Sequence, residues 1–273
     1  MKKFLVVPLL LVTVILTGCL GENDMGFGSN AASKCSQKLV VGIDDDFAPM
    51  GFRNEKNEIV GFEIDLAKEA GKRLGVDMEF KPIDWNKKKE AITSGEVDMI
   101  WNGLDITPER KEYMIFSKPY MDDRQILLVR KDSDLEIYSE YDLEDKIIGT
   151  QAGSTSDGYL NNNDELKAGI KEIKTFGKFR DVIESLMNEE IDAIVCDELV
   201  ARYEMNMNPD RFEIINVKIG DILEMGIGFN KDNVELRDRV QKVFDDMIAD
   251  GTAKKISEEW FQADIIKSEY MIR

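Results

Sequence analysis

The chain contains no histidine, and this absence limits the chemistry available to it. Histidine is the commonest general base near neutral pH and the commonest ligand of transition metals. Cysteine is also scarce, with three residues in the chain, so no disulfide scaffold can replace a hydrophobic core. We therefore predict neither a cofactor nor a metal site, and we expect stability to rest on apolar packing.

Basic residues are few relative to acidic ones: 36 lysines and arginines stand against 54 aspartates and glutamates, a net charge of −18. No basic patch with interleaved aromatic residues is present, so nucleic-acid binding is excluded. The basic run Lys87–Lys89 is predicted to form a solvated helix face. The acidic run Asp44–Asp46 lacks the alternating ligand spacing and turn glycine of a calcium loop, so we predict no metal there.

No apolar run is long enough to span a bilayer, which takes about 20 residues. Phe4–Leu16 contains 13 residues and follows two lysines, which is typical of a signal peptide, predicted here over residues 1–18. Its end, Leu16-Thr17-Gly18-Cys19, resembles the lipobox of bacterial lipoproteins. That resemblance implies cleavage after Gly18 and a lipid anchor on Cys19. An ordinary signal peptide with an accidental cysteine is the alternative.

Residues 19–36 are predicted to be a flexible tether, because they are rich in glycine, asparagine and serine and show no periodicity. Of the two other cysteines, Cys35 lies in this tether and Cys196 lies in an apolar strand pattern. Unpaired thiols are favoured, and a disulfide between the two remains open in an exported protein.

From Leu39 onward, short apolar runs alternate with helical periodicity, which predicts mixed α/β structure with sheets covered by helices. Strands are predicted at 39–43, 78–83, 97–101, 125–129, 146–150, 173–176, 193–196 and 212–217. Helices are predicted at 62–74, 87–94, 156–161, 179–189 and 234–249.

Three segments have the composition of a ligand site. Asp44–Phe52 follows the first strand, and loops at the carboxyl ends of strands bind ligands in open α/β sheets. A polar loop with one packed aromatic ring is the alternative. Gly149–Thr155 joins a strand to a helix start and forms a candidate anion nest. It lacks the glycine-lysine-threonine sequence of a phosphate loop.

The third segment contains Arg110, in the first turn of a helix that Thr107 caps and Pro108 begins. An arginine there opposes the helix dipole, which suggests another role. Arginine is the side chain best suited to bind a carboxylate through two hydrogen bonds. A solvent-exposed surface arginine is the alternative.

Together these segments resemble the bacterial polar amino-acid-binding proteins of ABC importers, solute-binding protein family 3, with the periplasmic-binding-protein type II fold. The resemblance covers residues 39–265. It rests on the stretches Gly61–Ala67, Ile106–Arg110, Phe116–Ser117, Gly153–Thr155, Asp192–Asp197 and Asp250–Phe261.

The resemblance implies a two-lobe α/β fold in which each lobe is a mixed sheet flanked by helices and two hinge strands join the lobes. Lobe 1 would comprise residues 37–122 and 226–273, and lobe 2 residues 123–225. It also implies an extracytoplasmic protein, monomeric and held to the membrane through Cys19, that captures an amino acid and delivers it to the permease subunits.

The family pattern assigns the ligand contacts. Arg110 would bind the α-carboxylate, helped by Thr155 and the backbone near Gly103, and Ser154 would also contact the ligand. Asp197 would bind the α-ammonium, beside the Asn102 carbonyl. Phe47 and Trp85 would enclose the ligand side chain, and its distal end would face Asp44, Asn102 and Gln151. Asp105 departs from the family, which usually has serine or threonine there. An acid at this position would repel a carboxylate unless it turns away, pairs with Arg110 or is protonated.

The expected function is therefore binding and transport, and the protein is not expected to be an enzyme. A cyclohexadienyl-dehydratase-like enzyme on the same fold is the alternative, as is a receptor for a signalling partner. No basic residue is expected near the distal pocket, so glutamate should be rejected. Arginine, lysine or ornithine is favoured slightly as the ligand, and glutamine or cystine stays open.

Overall fold

The structure, a computed structural model, describes residues 37–267. The predictions for the signal peptide, the tether, Cys19 and Cys35 concern residues outside this range. Within it, no helix has both the length and the apolar character needed to cross a membrane. The thiol of Cys196 is free and buried.

The strands of residues 37–267 follow one another along the chain as β1 Lys38–Ile43, β2 Asp46–Phe47, β3 Gly51–Arg53, β4 Ile59–Val60, β5 Asp77–Pro82, β6 Met99–Ile100, β7 Met114–Phe116, β8 Met121–Arg130, β9 Ile147–Gln151, β10 Glu172–Phe176, β11 Ala193–Asp197, β12 Phe212–Met225 and β13 Gly228–Asn230.

The helices are α1 Phe62–Leu74, α2 Lys88–Thr93, α3 Pro108–Lys111, α4 Thr155–Asn162, α5 Asp164–Gly169, α6 Phe179–Met187, α7 Glu198–Met207, α8 Val234–Ala249 and α9 Thr252–Phe261. Single 3-10 turns lie at Trp85–Lys87 and Glu140–Leu143.

Two mixed five-stranded sheets organise these elements. The first has the order β5-β1-β6-β13-β7, with β1 parallel to its neighbours and β13 antiparallel to both of its own. The second has the order β10-β9-β11-β8-β12, with β8 antiparallel to both neighbours. A small three-stranded sheet, β2-β3-β4, lies beside the first. The predicted α/β architecture is confirmed.

The chain passes between the two sheets twice. It leaves the first sheet after β7 and enters the second at β8, and it returns between β12 and β13. We call the part of the molecule built on the first sheet the first lobe and the part built on the second sheet the second lobe. The predicted residue limits of the lobes remain a prediction.

Apolar periodicity explains the burial of α8. Val240, Phe244 and Met247 lie on one face of this helix and are buried. Phe244 packs edge-on against Trp101 and Tyr120, with ring centroids 5.6 and 5.3 Å away, in the core of the first lobe. Such edge-to-face pairs add to the gain from burying apolar area.

Some predicted elements differ from the structure. The strand expected at 97–101 contains only Met99–Ile100, whereas the strand expected at 212–217 extends to Met225 with bulges along its pairing with β8. The prediction of a solvated face for Lys87–Lys89 is wrong at Lys88, which is buried. Position 88 falls on the inner side of α2, a placement that three identical residues in a row cannot reveal.

Candidate functional site

The cleft between the two lobes brings most of the predicted site residues together. Its empty space is about 340 Å³, the open solvent at its mouth included. The first lobe lines it with Phe47, Trp85, Gly103, Asp105 and Arg110, and the second lobe lines it with Thr150, Gln151, Ser154, Thr155, Ser156, Phe179, Val195, Cys196 and Asp197.

Strand ends and helix starts position these side chains. Gln151 ends β9, and Asp197 ends β11, so the carboxyl ends of two neighbouring parallel strands meet at the cleft. The Ser154 hydroxyl accepts the Asp157 N–H and caps α4. Gly153 has φ +72°, and a side chain there would meet the backbone of Asn86 at 2.9 Å, so the two lobes approach closely at this glycine.

Arg110 is buried at the cleft wall, and its backbone N–H donates to the Thr107 hydroxyl at 3.2 Å, as the predicted cap requires. Its guanidinium donates to the carbonyl oxygens of Asp105 at 2.9 Å and Gly153 at 3.5 Å. No carboxylate of residues 37–267 lies within ion-pair distance of it. A guanidinium has five N–H donors, so donors remain for an anionic group in the cleft.

Asp197 lies in the same cleft and is likewise without a charged partner among the described residues. Its Oδ1 accepts the Gln125 amide at 2.6 Å. Burial raises the pKa of Asp197 to about 7, and the nearby Asp105 adds to that rise, while Gln125 and Arg110 oppose it. A cation entering the cleft would stabilise its ionised form.

Asp105 does not form the ion pair with Arg110 that the sequence left open. Its carboxylate accepts the Thr155 hydroxyl at 2.5 Å, and only its backbone carbonyl bonds to Arg110. Burial raises the pKa of Asp105 against the opposing effects of Arg110 and Thr155.

Asp44 and Asn102 do not line the cleft wall. The Asn102 side-chain oxygen accepts the Asp44 N–H at 2.6 Å, and the Gln151 amide donates to the Asp44 carboxylate from the other lobe. Lys178 lies 3.0 Å from Asp44 and 2.9 Å from Asp45. Lys178 therefore pairs with these two acids from the second lobe without lining the cleft, and the expectation that no basic residue lies near the distal pocket stays a prediction.

The run Asp44–Asp46, which we call the loop triplet, is compensated throughout. Arg53 lies 2.6 Å from Asp45, and Arg180 lies 2.9 Å from Asp46. Burial raises the pKa of Asp44 in spite of Lys178. Desolvation lowers the pKa of Lys178, but Asp45 and Asp44 outweigh it and the net pKa is raised. Lys178 therefore stays charged, because two carboxylates contact it.

Trp85 is held beside a buried amine. The Lys88 Nζ lies 5.3 Å from the Trp85 ring centroid and donates to the Trp85 carbonyl at 3.1 Å and the Gly153 carbonyl at 2.6 Å. Burial lowers the pKa of Lys88 to about 7, and Arg110 lowers it further. Phe47 meets Phe179 edge-on at 6.0 Å, so the aromatic wall includes a ring that sequence reasoning missed.

The sequence reasoning missed further polar residues near the cleft. Asp123 and Gln125 lie on strand β8, and the Gln125 amide donates to Asp123 and to Asp197. Glu63 on α1 accepts the Tyr120 hydroxyl and the Gly103 N–H, and burial raises its pKa to about 7. Isolated polar residues within apolar elements were the available clue.

Comparison with known proteins gives the family. Residues 39–263 match the sequence pattern of bacterial extracellular solute-binding proteins, family 3. The arginine-binding extracellular protein ArtP of Bacillus subtilis is 30% identical over 269 residues, which covers 97% of this chain and all of ArtP (100%).

Solved structures agree with this assignment. The substrate-binding protein of an ABC uptake transporter from Streptococcus pneumoniae, with bound histidine, superposes with a TM-score of 0.80 at 30% identity, over 85% of this chain and 95% of that chain. An ancestral arginine-binding protein bound to glutamine gives a TM-score of 0.76 at 38% identity, over 82% of this chain and 97% of that chain. These relatives are binding proteins, which confirms the prediction that the chain is not an enzyme. The chain belongs to family 3 of the bacterial extracellular solute-binding proteins.

Proposed function

We propose that this protein captures a free polar or cationic amino acid in the interlobe cleft and delivers it to the permease of an ABC importer. One observation carries the proposal: Arg110 and Asp197 line a single cleft, both are buried, and neither has an ion-pair partner among residues 37–267. Burying a charge is costly unless it is paired. A zwitterion supplies an anion for one group and a cation for the other.

The remaining contacts follow from the same geometry. The α4 start at Ser154 and Thr155 supplies N–H groups and a helix dipole suited to the ligand carboxylate. Phe47, Phe179 and Trp85 supply apolar faces for the ligand side chain. The relatives named above bind arginine, histidine or glutamine, which fits this mixed polar and aromatic cleft. Because Lys178 neutralises Asp44, this acid gives no preference for a basic ligand.

A thermal-shift screen against the common amino acids and cystine tests the binding function, since a ligand of the native state raises the melting temperature. The ligand found is then measured calorimetrically against Arg110→Gln. Loss of a buried charge partner should weaken binding by about 2–5 kcal/mol. Arg202→Gln, on the exposed side of α7, is the matched control. Near-normal affinity in Arg110→Gln would contradict the assignment.

We also propose that the protein is a lipoprotein, as Leu16–Cys19 implies. Replacing Cys19 by serine should move the protein from the membrane fraction to the soluble fraction and leave amino-acid affinity unchanged. An acylated N-terminus with two or more chains gives stable attachment, whereas a single chain does not. Recovery of the unaltered protein entirely in the soluble fraction would contradict the anchor.

A further inference from the structure

Three buried carboxylates converge at the inner end of the cleft. Asp105, Asp123 and Asp197 each place an oxygen within 4.8 Å of the other two. They come from the loop before α3, from β8 and from the end of β11, and all three are buried. We call this group the carboxylate cage. Asp105 and Asp197 line the cleft itself, so the cage is open to whatever occupies it.

Each carboxylate of the cage is oriented by a neutral donor. Asp105 Oδ2 accepts the Thr155 hydroxyl, while Asp123 Oδ2 and Asp197 Oδ1 share the amide of Gln125, at 2.5 and 2.6 Å. The Ser156 hydroxyl donates to the Gln125 carbonyl oxygen and fixes the amide in this orientation. Such outer contacts orient the carboxylates without neutralising their charge.

The second oxygen of each carboxylate accepts no hydrogen bond from a side chain of residues 37–267. Asp105 Oδ1 and Asp123 Oδ1 are buried without a hydrogen-bond partner, although the Arg124 N–H lies near the Asp123 carboxylate. Asp197 Oδ2 has no donor within residues 37–267, and no lysine or arginine of that range lies within ion-pair distance of the cage. Unsatisfied acceptors at this depth point to a missing donor that carries positive charge.

We propose that the ammonium group which the proposed function places at Asp197 also engages Asp105 and Asp123, and that it displaces protons which the empty cage holds. This inference rests on the proposed function. An ammonium carries three N–H donors and one positive charge, which suits a group of carboxylates with unsatisfied oxygens. Three carboxylates at this separation cannot all ionise without a cation, so the empty cage must retain protons.

The charged groups around the cage agree with proton retention. Burial and the other cage members raise the pKa of Asp123 well above its usual range and the pKa of Asp197 to about 7. Arg110 on α3 faces the cage and favours ionisation, whereas Glu63 on α1 opposes it. The neighbouring Cys196 thiol has its pKa raised by burial, so it stays protonated and adds no charge.

The sign of the pH effect follows from this chemistry. If an ammonium enters and a proton leaves, affinity rises with pH until the empty cage is ionised. One proton released per ligand corresponds to about a tenfold gain in affinity per pH unit. The gain should occur around pH 7, because burial raises the pKa of Asp197 to about 7. A zwitterion binding to a fully ionised single aspartate would show no such slope.

Calorimetry with arginine, histidine and glutamine, in buffers of different ionisation enthalpy, counts the protons released. The wild type should release protons at pH 6–7, and Asp123→Asn should release fewer, with a smaller pH slope of affinity. Asp122→Asn is the matched control, because Asp122 is the adjacent residue, is largely exposed and pairs with Lys267. It should behave as the wild type does.

Three outcomes would contradict the proposal that an ammonium binds at the carboxylate cage and displaces protons. One is unchanged proton release and pH slope in Asp123→Asn with amino-acid binding intact. A second is stabilisation by Ca²⁺ or Mg²⁺ alone that disappears in Asp123→Asn, since the cage would then be a metal site. The third is that no amino acid binds the wild type, which removes the proposed function itself and is visible before any variant is made. Asparagine is isosteric, and a raised melting temperature of ligand-free Asp123→Asn would confirm relief of repulsion in a folded protein.

Discussion

Two groups of three aspartates lie between the lobes, and they differ in how their charge is compensated. The loop triplet is contiguous in sequence, and each of its acids has a basic partner in Lys178, Arg53 or Arg180. The carboxylate cage comes from three distant positions and has only neutral donors. The ion pairs of the loop triplet with Lys178 and Arg180 connect the two lobes, whereas the carboxylates of the cage can still pair with a ligand cation.

This difference shows why the more visible acidic run is the less informative one. Asp44–Asp46 suggests a cation site at first sight, but its basic partners come from 53 and from 178–180. The cage has no signature in the sequence, because its members are separated by apolar strands. Charge that is compensated within the protein contributes to closure and not to ligand recognition.

The largest contrast is expected in ligand affinity. Asp197→Asn should weaken amino-acid binding by about 2–5 kcal/mol, because the ligand ammonium loses its charged partner in a buried site. Asp45→Asn in the loop triplet should change affinity by well under that amount, since Asp45 does not line the cleft. Calorimetry on both variants with the same amino acid checks the contrast. Equal losses would contradict the distinction between the two groups.

A second contrast concerns the pH dependence of stability. Because the cage pKa values are raised above their unfolded values, the native state binds more protons than the unfolded state between about pH 4 and pH 7. Stability of the ligand-free protein should therefore fall, by a few kcal/mol at most, as pH rises through this window. Saturating amino acid should remove much of the decline. Thermal denaturation at pH 5, 6, 7 and 8, with and without ligand, measures this fall in stability.

Asp123→Asn should reduce the loss of stability with rising pH, because it removes one carboxyl of the cage, which has no basic partner. Asp46→Asn should leave that loss unchanged, because Arg180 compensates Asp46. A wild-type stability that rises steadily from pH 5 to pH 8 would show that the cage is already ionised in the native state.

The triplet can be converted into an uncompensated site. Lys178→Met should cost about 1–3 kcal/mol in unfolding free energy, because Asp44 stays buried without its cation. Adding Asp44→Asn to Lys178→Met should recover most of the loss, since the charge is then gone. Chemical denaturation of the wild type, the two single variants and the double variant gives the four unfolding free energies of a double-mutant cycle. Additive losses would mean that the pair is not coupled.

The smallest effect is expected at the rim of the triplet. Arg180 is half exposed, and exposed ion pairs contribute about 0.2–1 kcal/mol. Arg180→Gln should therefore lower stability slightly, and the difference from wild type should shrink as salt rises, because screening weakens the exposed pair. Denaturation at low and high ionic strength tests this, and a loss above that range at high salt would indicate a packing role instead.

Several features were predictable because local physics determines them. Helix α8 spans the residues predicted for it, 234–249, and Thr107 caps α3 with Pro108 at its first position. Other elements were not predictable from local pattern. The short strands β2, β3 and β4 are too brief to show alternation, and α7 follows Asp197 directly without a capping side-chain hydrogen bond.

Composition, periodicity and motifs were enough to predict the alternation of strands and helices, the family, and Arg110 and Asp197 as binding residues. They did not reveal which charges are paired. Lys178 reaches Asp44 from the opposite lobe, and Asp123 joins the cage from β8. Compensation depends on distance and burial, and both are set by how separate elements pack.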